Sequence, residues 1–297
     1  MQKTRTYIKI LKEICEENGF VFNSYSDGWL IRIDNGDKRM FIHGYKFPNN
    51  SASISELCTD KSSLSEYLSS VGIPCIPHWF FDNVSKDNLF AATELLKKYG
   101  SLVVKPNDGN GGRNVWRVST VDELFTKMNE ALSKNGNLCV SPFVSVDAEF
   151  RTVIYKDRPL FTFEKIRPSV VADGKTSYRE YLKNAGVKNI EIEFDFIPKE
   201  GETLLLTWKH NLQGGAKPLL IVNPASEILD ICKRIHSVSG VSFASVDIVE
   251  TNGRYYVLEV NSGVMTEHFA SFSGENYELA KNAYSIAIKD YFENYDV

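Results

Sequence analysis

The chain has 297 residues, of which 43% are hydrophobic and 24% charged, with a formal net charge of −4 and an isoelectric point near 5.8. That length and apolar content suffice for one large domain, or for two to three smaller lobes, with a sizeable buried core. The acidic balance and the lack of a long basic run argue against an extended nucleic-acid footprint.

The cysteines and the apolar runs bear on where the protein works. The five cysteines are far apart and none forms a Cys-x-x-Cys pair, so neither a zinc site nor a disulfide framework is predicted. No apolar run approaches the roughly 18 residues of a membrane span, and the first residues lead into an amphipathic pattern, not an apolar signal core. We therefore expect a reduced, cytoplasmic location, with neither a membrane nor a nucleic acid as partner.

Helical and strand patterns alternate along the chain. Apolar spacing, capping residues and glycine stops predict helices at 4–18, 60–70, 85–99, 120–134, 178–184, 225–238 and 276–294. Strands are predicted at 29–33, 38–42, 102–105, 115–118, 138–140, 149–155, 160–167, 191–197 and 203–209, with a hairpin over 243–261. The first helix and two strands make a short αββ unit. The mixture of helices with antiparallel hairpins favours an α+β fold over a parallel wound sheet.

The most informative segment is a glycine-rich loop between two predicted strands. It follows Lys105 and contains Gly109, Gly111 and Gly112. Glycine permits φ > 0 and lets backbone amides approach an anion, while a lysine adds a compact positive charge. These features favour a flexible cover over the phosphates of a nucleotide. A glycine-rich hairpin with a surface lysine is the alternative interpretation.

Two common phosphate loops do not match the chain. A Walker A loop would need a glycine at Ser169, ahead of Gly174-Lys175-Thr176. A dinucleotide fingerprint would need a third glycine that opens a helix, but Asn114 occupies that place and a strand follows. The glycine loop therefore lies between two predicted strands, not between a strand and a helix, and it matches neither of these motifs.

An acidic hairpin near the end of the chain predicts a metal site. Glu259 and Asn261 are two positions apart on a strand and therefore share a face. Asp247 would complete a set of oxygen ligands of the kind that Mg²⁺ prefers, provided that it lies opposite Glu259. A plain two-residue turn at Asn252-Gly253 would place Leu258 there instead, so we predict a longer loop or a bulge. A solvated strand face is the alternative.

In their order and spacing these segments resemble the ATP-grasp superfamily, specifically its carboxylate–amine ligases, over roughly residues 56 to 270. Thr59-Asp60-Lys61-Ser62 with Gly72-Ile73-Pro74 is similar to the family's opening segment, and Val104-Lys105-Pro106 with the glycine loop is similar to its lid. A finer similarity, to the cyanophycin-synthetase and bifunctional glutathione-synthetase branch, rests on residues 164–176 and 211–215.

The resemblance implies an ATP-grasp fold in which two α+β lobes clamp ATP: an N-terminal αββ unit at 1–57, a central lobe with the lid at 58–143 and a C-terminal lobe at 144–297. It implies ATP and two Mg²⁺ ions, which Mn²⁺ could replace, as cofactors. It places nucleotide contacts at Lys61, Lys105, Asn107, Gly109, Gly111, Gly112, Ser141, Phe143, Val144 and Glu149. Of these, Lys61 and Lys105 would contact phosphate, the hinge at 141–144 would contact adenine, and Glu149 would bind the ribose. It places metal ligands at Asp247, Glu259 and Asn261.

The implied reaction forms an amide bond at the expense of ATP. A substrate carboxylate attacks the γ-phosphate to give an acyl phosphate and ADP, and an amine then attacks the acyl carbon. The resemblance implies catalytic roles for Lys165, Arg167, Asn211, Gly214 and Gly215. Lys165 and Arg167 would hold the anionic groups. The amides of Gly214 and Gly215 would stabilise the oxyanion, because Ser245 stands where some members have an arginine.

The substrates implied are a small-molecule carboxylate and an amine, such as amino acids or peptides. The oligomeric state is open, with a homodimer as one option. Two rival functions remain: a phosphotransferase on the same fold that releases a phosphorylated product, and a nucleotide-binding protein without catalysis. The retained set of metal ligands argues against the second.

Overall fold

The computed structural model describes residues 5–109, 111–187 and 195–294. The helices in these ranges are α1 (Thr6–Asn18), α2 (Ala52–Thr59), α3 (Lys61–Ser70), α4 (Lys86–Tyr99), α5 (Val121–Asn135), α6 (Tyr178–Asn184), α7 (Ser226–Ser239), α8 (Glu267–Ala270) and α9 (Gly274–Asn294). The strands are β1 (Val21–Tyr25), β2 (Leu30–Asn35), β3 (Lys38–His43), β4 (Trp79–Phe81), β5 (Leu102–Lys105), β6 (Trp116–Val118), β7 (Leu138–Pro142), β8 (Ala148–Tyr155), β9 (Arg158–Ile166), β10 (Ser169–Val171), β11 (Thr203–Leu205), β12 (Lys217–Ile221), β13 (Phe243–Thr251) and β14 (Arg254–Asn261). A 3₁₀ helix, Leu212–Gly214, precedes β12.

The strands of the described ranges are arranged in antiparallel sheets. A three-stranded sheet has the order β1-β2-β3, a four-stranded sheet β4-β7-β5-β6 and a five-stranded sheet β12-β9-β8-β13-β14, while β10 pairs with β11. Neighbouring strands within each of these sheets run antiparallel. The predicted α+β class is therefore confirmed.

Capping residues set the ends of the two helices beside the four-stranded sheet. Thr120 and Glu123 form the predicted capping box of α5, which ends at Gly136 in the left-handed conformation. Ser85 caps α4, and Gly100 ends it in the same way. The core between these helices and the sheet contains Phe81, Ala92, Leu96, Leu102, Val104, Val118, Leu124, Met128, Ala131, Leu138 and Val140.

The other face of the four-stranded sheet carries Lys105. The residues of β5 that enter the core alternate with Val103 and Lys105, which therefore face the opposite way. On β7, Ser141 and Cys139 pair with these two residues and share their face. The predicted phosphate lysine and the start of the predicted hinge thus lie on one surface.

The five-stranded sheet has an apolar face and a face that is partly charged. Its apolar face packs on α3 and α7 through Leu64, Leu68, Phe150, Ile228, Ile231, Ile235, Val246, Ile248 and Val260. At one end, the opposite face packs on α1 and α9 through Ile10, Leu11, Val153, Phe161, Phe163, Phe243, Ala283 and Ala287. At its other end this face carries the charged side chains of Glu149, Arg151, Lys165 and Asp247, and we call that region the polar face.

The predicted register of the β13–β14 hairpin is confirmed, and a bulge produces it. Asp247 lies opposite Glu259. The turn itself is short, since Thr251 pairs with Arg254, and the register shifts beside Asp247, where Leu258 has no opposite residue. The extra residue brings the two carboxylates to the same face of the sheet.

The N-terminal unit has one strand more than the αββ pattern predicts. The side chains of β1 are mostly exposed, so no clear alternation in the sequence marks this strand. The structure also adds α2, between this unit and α3. Cys58, Leu64 and Leu68 pack beneath the five-stranded sheet although they fall within the predicted central lobe. The domain limits at 57 and 143 stay a prediction.

The predicted strand at 191–197 lies mostly outside the described residues. The strand predicted at 203–209 is shorter in the structure, ending at Leu205. Among the described helices, none is long and apolar enough to cross a lipid bilayer.

Candidate functional site

Four charged side chains form a buried network on the polar face. Lys165 Nζ lies 2.6 Å from Glu149 Oε1 and 3.0 Å from Asp247 Oδ1. Arg151 donates to both oxygens of Asp247, from Nε to Oδ1 over 2.7 Å and from Nη2 to Oδ2 over 2.6 Å. The two cations and two anions alternate, so the network has no net charge. Charge neutrality and short contacts are what make such burial tolerable.

Burial and pairing act differently on the two carboxyl groups of this network. Burial raises the pKa of Glu149 above its usual value, because the contact with Lys165 does not fully offset the loss of hydration. Burial would also raise the pKa of Asp247, but Arg151 and Lys165 outweigh it and hold that pKa well below its usual range. Asp247 therefore stays ionised on the polar face at neutral pH.

Glu259 and Asn261 supply further oxygen atoms on the same sheet. Asn261 Nδ2 donates to Glu259 Oε1 over 3.2 Å, and Lys61 Nζ lies 3.9 Å from Glu259 Oε2. Asp247 lies opposite Glu259 and makes three contacts with its two cationic partners. A carboxylate can accept roughly four, so about one acceptor direction is left for a metal ion. Two carboxylates and an amide oxygen suit a hard divalent cation, so these residues fit the predicted metal site. In the described ranges no three His, Cys, Asp or Glu residues are placed to hold a metal ion together, so the predicted site would include the Asn261 amide.

Lys105 is a buried cation without a partner among the described residues. The residue is 8% exposed, and its ammonium group makes no hydrogen bond or ion pair with any residue that the structure describes. Burial lowers the pKa of Lys105, although the charges of Glu259 and Glu149 oppose that shift. A buried positive charge is costly unless an anion compensates it. This position therefore favours an anionic ligand.

The base of the lid is fastened to the start of α3. Lys61 Nζ donates to Gly109 O over 2.6 Å, and the Lys61 backbone N–H donates to Asn107 O over 3.2 Å. The side chain of Asn107 bonds to Asp60 Oδ1 over 2.8 Å and accepts the N–H of Ser62 over 3.0 Å. Both polar atoms of that side chain are thus used within the protein. The predicted contact of Asn107 with a nucleotide would need these bonds to break.

The other two lid glycines lie against a loop at 209–213. Asn211 Nδ2 donates to Gly111 O over 2.8 Å, and Lys209 Nζ lies 3.5 Å from Gly112 O. Asn211 thus contacts the lid in this structure. Its predicted catalytic role would need the side chain to leave the lid.

The two amides predicted to stabilise an oxyanion are engaged elsewhere. The Gly214 N–H donates to Asn211 O over 2.9 Å, and the Gly215 N–H donates to Leu212 O over 3.3 Å. These bonds close the 3₁₀ turn and end it. An oxyanion could receive these donors only if the turn opened.

The predicted adenine-binding hinge follows β7. Ser141 is buried on the face that carries Lys105. The Phe143 N–H donates to Ser101 O over 2.9 Å, whereas Val144 makes no backbone hydrogen bond with a described residue. The N–H and C=O of Val144 are therefore free to bind the edge of a base.

Three residues that were not assigned from the sequence belong to the site. Arg151 is the main partner of the metal-site carboxylate. Arg117 lies 3.9 Å above the ring of Phe143, and Trp208 meets the same ring edge-on at 5.6 Å. Alternation could have found Arg151, because it lies two positions from Glu149 on a predicted strand and shares its face. Arg117 and Trp208 are brought together only by the fold.

Arg167 and His210 lie at the end of β9, next to Lys165. Arg167 is half-buried and has no hydrogen bond or ion pair with the described residues. His210 is buried, its Nδ1–H donates to Lys165 O over 2.9 Å, and its Nε2 has no partner in the described ranges. Burial, with the nearby charges of Arg167 and Lys165, lowers the pKa of His210 to about 4.

The low pKa of His210 predicts a loss of stability in acid. Its folded-state pKa lies below the unfolded value near 6.5, so the unfolded chain binds the proton first as the pH falls. Between pH 7.5 and pH 5, we expect the free energy of unfolding of the wild type to fall by about 2 kcal/mol more than that of His210→Asn. Asparagine is chosen because its amide keeps a donor for the carbonyl of Lys165. Urea unfolding at both pH values measures this difference. Equal losses would show that His210 does not titrate in this way.

Comparisons with known proteins give the fold. No family model matches the chain. A D-alanine–D-alanine ligase of Shewanella sediminis is 28% identical over 90 residues, which cover 30% of this chain and 25% of the relative. One from Shewanella woodyi is 23% identical over 116 residues, 38% of this chain and 33% of the relative. The chain thus matches between a quarter and a third of the length of these curated relatives.

Solved structures match over much more of the chain. D-alanyl-alanine synthetase A of Vibrio cholerae has a TM-score of 0.62 at 12% identity, with 97% of this chain and 94% of that protein covered. A bifunctional glutathione synthetase of Pasteurella multocida has a TM-score of 0.53 at 15% identity, with 93% of this chain but 43% of that protein covered. An ATP-grasp ligase with its minimal precursor has a TM-score of 0.50 at 16% identity, with 78% of this chain and 64% of that protein covered. The chain has the ATP-grasp fold, as its sequence predicts.

Proposed function

We propose that this chain is an ATP-dependent carboxylate–amine ligase, which joins a small carboxylate to an amine and releases ADP and phosphate. The observation that carries the proposal is Lys105, a buried cation without a partner in the described residues, close to the oxygen ligands Glu259 and Asn261. This pairing of an anion site with a divalent-cation site is what a nucleoside triphosphate requires. The ATP-grasp fold and the names of the similar ligases support the same function.

The nucleotide would lie between the face of the four-stranded sheet that carries Lys105 and the polar face. The adenine would bind the open backbone groups of Val144, and the phosphates would lie at Lys105 and Lys61. Glu149 Oε1 is used by Lys165, so a ribose hydroxyl would meet Oε2. Mg²⁺, or Mn²⁺ in its place, would be held by Asp247, Glu259 and Asn261. When bound, this ion offsets the negative charge of the phosphates.

The substrate carboxylate would bind where a cation is free to receive it. Arg167 meets that condition among the described residues, whereas the charge of Lys165 is already balanced by Glu149 and Asp247. The carboxylate oxygen attacks the γ-phosphorus, the bond to the β–γ bridging oxygen breaks, and ADP leaves. The amine then attacks the carbonyl carbon, phosphate leaves, and the nitrogen loses a proton to solvent. Exclusion of water protects the acyl phosphate between these steps.

The test is ADP release by the purified protein with Mg²⁺ and ATP, over pairs of candidate carboxylates and amines. The similar proteins suggest starting with D-alanine alone, then other amino acids and short peptides in pairs. We expect at least one pair to stimulate ADP release and to give a product that weighs one water less than the sum of the pair. A phosphorylated product would identify a phosphotransferase. Nucleotide binding without stimulated release would identify a binding protein, and no binding in calorimetry would reject all three functions.

A further inference from the structure

The glycines at the tip of the lid fit against a second loop. Gly111 and Gly112 have φ of +70° and +68°, and both lie beside the 209–213 segment, which we call the receptor loop. A Cβ added at Gly111 would lie 2.9 Å from Gln213 Oε1, and one at Gly112 would lie 2.8 Å from Asn211 Nδ2. Real Cβ atoms essentially never make contacts under 3.0 Å. Because the atoms met are the ends of side chains, a Cβ here could be accommodated only by moving the Gln213 or Asn211 amide out of the position that it holds in this structure.

Asn211 is held in one orientation by its own loop. Its Oδ1 accepts the N–H of Gln213 over 3.0 Å, while its Nδ2 donates to Gly111 O over 2.8 Å. The first bond fixes the amide so that the second points at the lid. The capping residue of a 3₁₀ turn thus also presents a donor to the neighbouring chain segment.

The receptor loop also contacts β9, at Lys165, and the segment that follows β14. His210 Nδ1–H donates to Lys165 O over 2.9 Å, and Gln213 Nε2 lies 3.8 Å from the sulfur of Met265, four residues after Asn261. A lid that docks on this loop is therefore positioned relative to the polar face. Closure of the lid and the geometry of the polar face are mechanically connected.

We propose that the receptor loop holds the lid closed, with Asn211 as the positioning residue that binds the lid backbone rather than the reacting atoms. A Cβ at Gly112 would then displace the Asn211 amide and weaken its bond to Gly111 O. The inference concerns the free protein, so it stands apart from the proposed ligase activity. It goes beyond that activity by naming the contact that closes the site against water.

The test is cleavage by trypsin after Arg113, an exposed residue of the lid. A protease needs several residues in extended form, so cleavage reports the fraction of molecules whose lid has left the receptor loop. Loss of one hydrogen bond should speed this cleavage about fivefold in Asn211→Ala. Asn211→Asp, which keeps the shape but loses the donor, should act in the same direction. Asn135→Ala is the matched control, because Asn135 Nδ2 also donates to a backbone carbonyl, Ala131 O, but far from the lid.

A double-mutant cycle separates contact from backbone strain. Gly112→Ala strains a positive φ and alters a residue next to the cleaved bond, but both effects are the same in the wild-type and the Asn211→Ala backgrounds. The collision with Nδ2 exists only where Asn211 is retained, so Gly112→Ala should speed cleavage more in the wild-type background. Unchanged cleavage in both Asn211 variants would overturn the proposal. An equal effect of Gly112→Ala in the two backgrounds would also overturn it.

Discussion

Lys105→Met is expected to make the protein more stable and inactive at once. The ammonium is buried without a partner in the described residues, and methionine keeps a similar shape without the charge. Removing the uncompensated charge should raise the free energy of unfolding by about 1 kcal/mol. Removing a cation from the phosphate site should lower substrate-stimulated ADP release by roughly 10³-fold. Urea unfolding and a coupled ADP assay measure the two effects on the same preparation.

The pH dependence of this variant has a defined sign. Burial lowers the folded-state pKa of Lys105, so the folded protein loses that proton before the unfolded chain does as the pH rises. The wild type should therefore recover stability toward pH 10, and the advantage of Lys105→Met should shrink. Lys97→Met is the control, since its side chain is 67% exposed and should alter neither quantity. Normal turnover in Lys105→Met would refute the phosphate role of Lys105.

Local sequence signals predicted those parts of the site that depend on a single segment. The position of Lys105 at the end of a buried strand, before a glycine loop, follows from alternation and turn chemistry alone. The hairpin register followed from a counting argument, because Asp247 could face Glu259 only if the strands were offset by one residue. A bulge is the usual way for a short turn to supply that offset.

The rest depends on contacts between distant segments. Arg151 and Asp247 are 96 positions apart, and nothing local shows that this arginine occupies both oxygens of the carboxylate. The sequence predicts a phosphate role for the lid glycines, but it does not show that Asn211, 100 positions from Gly111, bonds to the carbonyl of that glycine. Asn107 is likewise predicted to contact the nucleotide, although its amide bonds to Asp60. Side-chain partners across strands and loops are set by packing, which a pattern in one segment cannot specify.

Lys165→Met should have the opposite effect to Lys105→Met on stability. Lys165 is 5% exposed and bonds to both Glu149 and Asp247. Its loss leaves Glu149 as a buried carboxylate without its cation, which should cost about 3–5 kcal/mol of unfolding free energy at pH 8. Urea unfolding at pH 8 and pH 5.5 measures that loss and its pH dependence.

The charge of Glu149 sets the sign of that dependence. Its folded-state pKa is already raised by burial and should rise further without Lys165. Where the pH lies between the unfolded-state pKa and the folded-state pKa of Glu149, the folded state binds more protons, so the free energy of unfolding falls as the pH rises. The variant should therefore be less impaired at pH 5.5 than at pH 8.

A second substitution shows whether the charge or the packing is responsible. Glu149→Gln/Lys165→Met removes the orphaned carboxylate and keeps its shape, so most of the lost stability should return, and the pH dependence should vanish with it. A single variant as stable as the wild type, or a double variant without recovery, would contradict the buried network. If both predictions hold, substitution of Lys105 and of Lys165 changes stability in opposite directions for one reason, the presence of a bonded carboxylate beside Lys165 alone. Lys105 lacks such a partner among the described residues, so a bound anion would stabilise it most.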